Sequence, residues 1–476
     1  MPSLITAGPL PYFHRYARPC AMPNSLGTKN SRTAAVLRLF QRLLERWIPS
    51  SLTFAILLTL VVALLAYFLT DTGPLAIILG WGNGLSGLLA FMTQMCLILL
   101  LGHILANTAP VRKLLIALAR VPTRAASAYV FVFAVAAVTS MLNWGLGLVT
   151  GALLAREVAV QLRSKSVKAH FPLLVAAGYS GFVVWHMGYS GSGPLTAATP
   201  GSFLAEVMNR NTVPLSRTTF AAWNLLAALA CIAACGLLFW LVAPRKGAAV
   251  HEIPAGITSG SLGSDAEEVV TPADRVDASR LPTMLIGLAL VAYLAIHFIR
   301  GGSMTLDMVN WTFLALILLL VRSPFEIIRL TRDAASNVGE ILLQFPLYAG
   351  IMGIMASTGL IALFSNGLVA IAGPHSFGVL AMFSAGVVNF FVPSGGGQFA
   401  VQGPIMLDAA AKLGVDPAVA IMAVAYGDQW TNMLQPFWAL PVLAIAKLKM
   451  RDILGYTALT GLVAGTVMAV ALWLVS

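Results

Sequence analysis

Long apolar runs separated by short basic loops set the layout of this chain. A helix needs about 20 apolar residues to cross a bilayer. Residues 52–70, 86–106, 219–243, 282–299, 305–322, 340–358 and 453–475 each read as one crossing. Arg38, Arg42 and Arg46 precede the first run, and only Asp71 follows it. Basic residues stay on the cytoplasmic side, so the N-terminus reads as inside. Arg112, Lys113, Arg120 and Arg124 mark the next inner loop, then Arg245 and Lys246, then Arg322, Arg329 and Arg332. Lys447, Lys449 and Arg451 mark the last one.

Four stretches depart from this rhythm. Residues 171–199 and 417–446 cross, but glycine and polar residues interrupt them, at 178–181 and 188–194 in the first and at Asp428, Gln429 and Trp430 in the second. Residues 128–160 are apolar with basic residues on both flanks, so the segment enters and leaves on one side. They fall short of the roughly 40 residues that two crossings need. Asn143, Trp144 and Gly145, a poor helix interior, make a tip. Residues 376–413 read as a second hairpin, with a tip at 389–398. The expected fold is an all-α polytopic membrane protein with about nine full spans, two re-entrant hairpins and two discontinuous helices.

The two halves match in order. Gln94 pairs with Gln344, Asn143 with Asn389, and Tyr179 with Tyr426, each about 250 residues apart. An extra crossing lies between them, which places the second half upside down. Inverted repeats, with broken helices at the midplane, are a plan of secondary transporters. The expected divisions are a disordered basic tail at 1–35, a first repeat at 36–243 and a polar, flexible cytoplasmic linker at 244–281. A connecting span at 282–304 and the inverted repeat at 305–476 complete the chain.

Composition supports the membrane assignment and narrows the function. Of 476 residues 58% are hydrophobic and 10% charged, against about a quarter charged in soluble domains. The net charge of +11 sits in short loops, the positive-inside pattern, so no nucleic-acid partner is expected. Cys20, Cys96, Cys231 and Cys235 form no disulfide framework. There is no HExxH, no acid pair at metal spacing and no GxSxG elbow, so no enzyme and no cofactor is expected, apart from Na+ as a possible coupling ion.

Broken backbone at membrane depth persists where it lines a cavity or binds something. Pro393, Ser394, Gly395, Gly396, Gly397 and Gln398 end a glycine run at a helix start, where unpaired N–H groups favour an anion. Ser190, Gly191 and Ser192 are the companion in the first half. These eight residues, Ser190 to Ser192 and Ser394 to Gln398, are the expected substrate contacts. Asp428, within a broken span, is expected to bind a proton or a cation. Asn143, Asn389 and Asn432 are candidate elements of a sodium site. His103 and His186 lie in apolar surroundings and titrate near neutrality when unperturbed. With no intramembrane Arg or Lys evident, the pattern favours a small monoanion.

Four stretches then resemble the AtoE-type short-chain fatty acid transporters, a branch of the ion-transporter superfamily. They are Asn143-Trp144-Gly145-Leu146-Gly147-Leu148-Val149, Ala198-Thr199-Pro200-Gly201, Val392-Pro393-Ser394-Gly395-Gly396-Gly397-Gln398, and the run from Asp428 through Gln435-Pro436-Phe437-Trp438-Ala439-Leu440-Pro441. The resemblance spans residue 36 to the C-terminus. It implies uptake of acetoacetate or butyrate across a bacterial inner membrane by cation-coupled symport. It also implies elevator-type motion and a homodimer. Lactate or a dicarboxylate is the alternative substrate, and a membrane-embedded enzyme or an ion channel are the other classes. His186 and Met187 depart from the family pattern.

Overall fold

The computed structural model describes residues 51–244, 250–257, 269–335, 338–390, 392–435 and 437–476. The expected tail at 1–35, the basic residues Arg38, Arg42, Arg46, Arg245 and Lys246, and linker residues 258–268 fall outside them.

Every regular element among the described residues is a helix. Lipid offers no partner to a backbone N–H or C=O, so each span must satisfy its own. Eight of the helices are long and apolar enough to cross a bilayer. The first half holds α1 (Ser51–Leu69), α2 (Pro74–Gly84), α3 (Leu89–Asn107), α4 (Ala109–Leu118), α5 (Ala125–Leu142) and α6 (Trp144–Ser164). It continues with α7 (Phe171–Ser180), a 3-10 turn (Gly181–Met187), α8 (Ser192–Ala198), α9 (Phe203–Val207) and α10 (Ala222–Leu241). The linker contributes α11 (Pro272–Asp277). After α12 (Leu281–Ile299), the second half runs α13 (Leu306–Leu320), α14 (Pro324–Ala335), α15 (Gly339–Thr358) and α16 (Leu360–Ile371). Its hairpin and broken helix are α17 (Pro374–Asn389), α18 (Gly395–Leu413), α19 (Pro417–Thr431) and α20 (Ala439–Ala446), and α21 (Met450–Val475) closes the chain.

The first hairpin reverses on a single residue. Asn143 is extended, and its Oδ1 accepts from Leu146 N at 2.9 Å, capping α6. Both arms, 18 and 21 residues, are therefore as long as a span; 128–160 looked too short because no residues are spent on a turn. Position makes the hairpin re-entrant: Asn143 Nδ2 donates to Ile98 O, midway along α3. The hairpin packs onto α7 through Gly151 and Gly178, where a Cβ on either would stand 2.3 or 2.4 Å from the other's carbonyl oxygen. Only glycine lets two backbones approach so closely.

The interrupted segments occupy the centre. The span at Phe171–Ala198 is entirely buried, whereas α12 is 17% buried and stands at the periphery against α13. In the second half α19 stays helical through Asp428 and Gln429 to Thr431, and the break begins at Asn432. The break was expected at Asp428, but Asp-Gln-Trp-Thr contains no breaker and the proline comes later, at Pro436. The short helices α2, α4, α14 and α16 are additions to the expected layout. Linker residues also fold back on the first hairpin: Arg163 donates to the carbonyls of Ile253, Pro254 and Ile257, and Phe171 N donates to His251 O at 2.7 Å.

Candidate functional site

Ser394 caps α18, its Oγ accepting from Gly397 N at 3.4 Å. Gly395 and Gly396 follow in the first turn, where amides have no acceptor four residues back within the helix. These residues line a small cavity with Ser192, Trp144, Trp185 and Trp438, closed on the far side by Met95 of α3 and by Ile341 and Phe345 of α15. The indole Nε1 atoms of all three tryptophans are buried and have no hydrogen-bond partner. No acidic side chain lines the cavity among the described residues. Trp144 and Trp438 meet edge to face with centroids 5.2 Å apart, which leaves apolar ring surface for a short hydrocarbon chain.

Of the expected substrate contacts, Ser192, Ser394, Gly395 and Gly396 reach this cavity. The others do not. Ser190 Oγ accepts from Trp144 N at 3.0 Å and holds the hairpin tip. Gly191 N donates to Gly188 O. Gly397 packs against the Tyr348 ring, and Gln398 Nε2 donates to Ala385 O and Gln402 Oε1, bracing the second hairpin. These four position the site from behind.

The expected cation elements separate in the same way. Asn143 is a helix cap on the first hairpin. Asn389 Nδ2, with two protons to donate, lies 2.8, 2.8 and 2.7 Å from the acceptors Asp428 O, Thr431 Oγ1 and Asn432 Oδ1. Asn432 Oδ1 also accepts from Gln435 Nε2. These amides tie the second hairpin tip to the end of α19. The Asp428 carboxylate points away from them: its Oδ2 lies 3.0 Å from His186 Nδ1, with both side chains fully buried. Its Oδ1 has no partner. Among the described residues no three of His, Cys, Asp and Glu come together to hold a metal.

His186 is the residue the sequence undervalued. Its Nε2 lies 2.9 Å from Ser192 Oγ and accepts from Gly193 N at 3.3 Å, and its backbone N donates to Gln429 Oε1. Trp185 stacks on its ring at 3.8 Å. The signal was a histidine inside a glycine-rich break opposite a lone buried acid, legible once the two halves are folded together. His103, by contrast, faces Asp333 of α14.

A model of the short-chain fatty acid transporter family matches residues 33–475. The chain belongs to that family. It is 38% identical over 441 residues to a protein of Escherichia coli (strain K12) named as a candidate short-chain fatty acid transporter, covering 92% of this chain and 99% of that one. A relative of the same description from Haemophilus influenzae is 35% identical over 428 residues, covering 88% and 95%. Among solved structures, the Alcanivorax borkumensis YdaH transporter, described as having an unusual topology, aligns with a TM-score of 0.59 at 16% identity, over 90% of this chain and 98% of that one. Neisseria gonorrhoeae MtrF, of a class of antimetabolite efflux pumps, aligns with a TM-score of 0.53 at 16% identity, over 91% and 97%. These two share the fold. This short-chain fatty acid transporter family member is thus a multi-span membrane transporter, not an enzyme.

Proposed function

We propose that this chain imports short-chain monocarboxylates, acids of the acetoacetate and butyrate type, across a bacterial inner membrane by cation-coupled symport, with its N-terminus in the cytoplasm. The observation that carries the reading is a cavity lined by Ser192, Ser394, Gly395, Gly396 and three tryptophans whose buried indole N–H groups have no acceptor. A carboxylate is an acceptor at both oxygens and supplies what these donors lack. The tryptophan faces take the alkyl chain, with about 25 cal/mol gained per Å² of apolar surface covered. Among the described residues no Lys or Arg lines the cavity, which disfavours a second carboxylate.

The cavity holds about 20 Å³, room for about one water. Admission of a four-carbon acid therefore requires the hairpins to part from α3 and α15. That boundary is apolar where it meets the site, through Met95, Ile341 and Phe345, and movement along it would break the bond from Asn143 Nδ2 to Ile98 O of α3. The reading is elevator-like movement of the hairpins past α3 and α15.

Tryptophan fluorescence of the purified protein in detergent tests the assignment without the passive leak of weak acids through lipid. Saturable change with butyrate and acetoacetate, weaker at least tenfold with succinate, is expected. Saturable binding of succinate as tight as butyrate, or of neither, would overturn it.

A further inference from the structure

We propose that His186 and Asp428 form the proton-binding pair of this transporter, and that protonating the pair unmasks the donors that hold the substrate carboxylate. The proposal rests on the monocarboxylate reading above and names its coupling ion.

The argument begins with the proton count. In the observed geometry Gly193 N–H donates to His186 Nε2, so that nitrogen carries a lone pair. A neutral ring then keeps its proton on Nδ1, where it is donated to Asp428 Oδ2 at 3.0 Å. We take the carboxylate to be ionised in this state. The pair carries one buried negative charge, supported by a single hydrogen bond because Oδ1 has no partner. A second anion entering the adjoining cavity meets like charge in a medium that screens poorly. One proton added at Nε2 brings the pair to net zero.

That same proton changes the donors. It occupies the Nε2 lone pair, so the Gly193 N–H loses its acceptor and the ring gains an outward N–H beside Ser192 Oγ, 2.9 Å away. Ser192 lines the substrate cavity, and Gly395, at the head of α18, packs against both groups: a Cβ there would lie 2.8 Å from His186 Cε1 and 2.9 Å from Ser192 Oγ. The proton site and the carboxylate site are therefore in contact. Proton and substrate each stabilise the form that binds the other, which is coupling in the thermodynamic sense.

Other titratable groups leave the pair alone. On the elements packed against the His186 turn, Tyr179 Oη donates to Asn432 O, Tyr426 Oη to Asn224 Oδ1, and Cys231 Sγ to Ala464 O. Cys235, a turn further along α10, is a buried thiol. Tyr129 on α5 and Tyr456 on α21 sit by His170, at the far end. Arg156, Glu157 and Arg163 lie at least 12 residues along α6 from its start at the site, about 18 Å. Arg451 and Asp452 occupy the first turn of α21, at the Tyr456 end. Asp408 and Lys412 pair with each other in the last turns of α18. The element α8 carries no titratable group.

The test is calorimetry of butyrate binding to the full-length protein in detergent, from pH 6.5 to 8.5, in buffers of differing ionisation enthalpy. Uptake approaching one proton per butyrate is expected at the alkaline end, with Kd weakening about tenfold per pH unit there. His186→Gln and Asp428→Asn should bind with a flat pH profile and no proton uptake. Butyrate binding without proton uptake anywhere in the range, or binding that needs sodium instead, overturns the proton proposal and leaves the substrate reading intact. Wild-type proton uptake in both variants also overturns it. No monocarboxylate binding by the wild type overturns the substrate reading itself. The wild-type stoichiometry decides the matter even where a variant does not fold.

Discussion

Gly395→Ala is the sharpest probe of the cavity. The added Cβ would stand 2.7 Å from Trp185 Cη2, 2.8 Å from His186 Cε1 and 2.9 Å from Ser192 Oγ. None of these can retreat easily. Trp185 is stacked between His186, at 3.8 Å, and Phe182, at 5.5 Å with rings 4° from parallel, and His186 is fixed at both ring nitrogens. Overpacking of this kind costs about 1–3 kcal/mol, against up to about 1 kcal/mol gained by alanine over glycine in a helix. Folding stability should therefore fall by no more than about 3 kcal/mol. Binding should suffer as well, because the added methyl group stands beside Trp185 and Ser192, which line the cavity, at the point where the carboxylate must approach the first turn of α18. A loss of tenfold or more in butyrate affinity, about 1.4 kcal/mol, is expected by tryptophan fluorescence titration, with the thermal midpoint as the measure of folding. Gly367→Ala is the control, since nothing lies within 4 Å of a Cβ there. Wild-type butyrate affinity in a folded Gly395→Ala protein would refute the placement of the site.

Asn389→Ala removes an amide whose two protons serve Asp428 O, Thr431 Oγ1 and Asn432 Oδ1, and takes this donor from the buried Asp428 O. A loss of about 2–4 kcal/mol is expected, visible as a lower thermal midpoint. Arg163→Ala releases the carbonyls of Ile253, Pro254 and Ile257; trypsin should then cut within 244–281 at least several-fold faster while the thermal midpoint moves little. His170, at the head of α7, has its ring pushed down to about 4 by burial and by neighbouring His251, from about 6.5 in an unfolded chain. Between those values the unfolded chain binds more protons, so this group's contribution is complete above about pH 6.5 and is lost as pH falls toward 4. His251 N also donates to His170 Nδ1, so protonation there frees the linker. The thermal midpoint should fall between pH 7.5 and 5, and less so in His170→Gln.

Spans, hairpins and breaks were legible because the bilayer imposes one rule on every apolar run, and loop charge reports on which side each run ends. Ser394 was legible beside a helix start and Asn143 at a hairpin tip; both are short polar side chains that cap the first turn of the helix they precede. What resisted reading was which side chains face one another. Gln398 and Ser190 have the right chemistry and lie beside the right backbone, yet each is used to brace a neighbouring segment. His186 and Asp428 stand 242 positions apart, so no local pattern joins them. The short helices α4 and α16 fell below the length at which an apolar run declares itself a crossing.

Both pairings at the centre cross between the halves. His186 comes from the broken helix of the first half and Asp428 from that of the second; Ser192 follows the first break, and Gly395 begins the second hairpin's inner helix. Further bonds join the same two elements, from Tyr179 Oη to Asn432 O and from His186 N to Gln429 Oε1. A site built from either half alone would lack half its donors and the partner of its buried acid. Both breaks meet at one place, where their glycines let helix ends and rings touch. The charged pair and the donor set are then consequences of one meeting point. Separating the halves by even a few ångströms would strand Asp428 without its hydrogen bond, a penalty of several kcal/mol for a buried carboxylate. Hairpins and broken helices are therefore expected to move as one body, with α3 and α15 as the surfaces they move against.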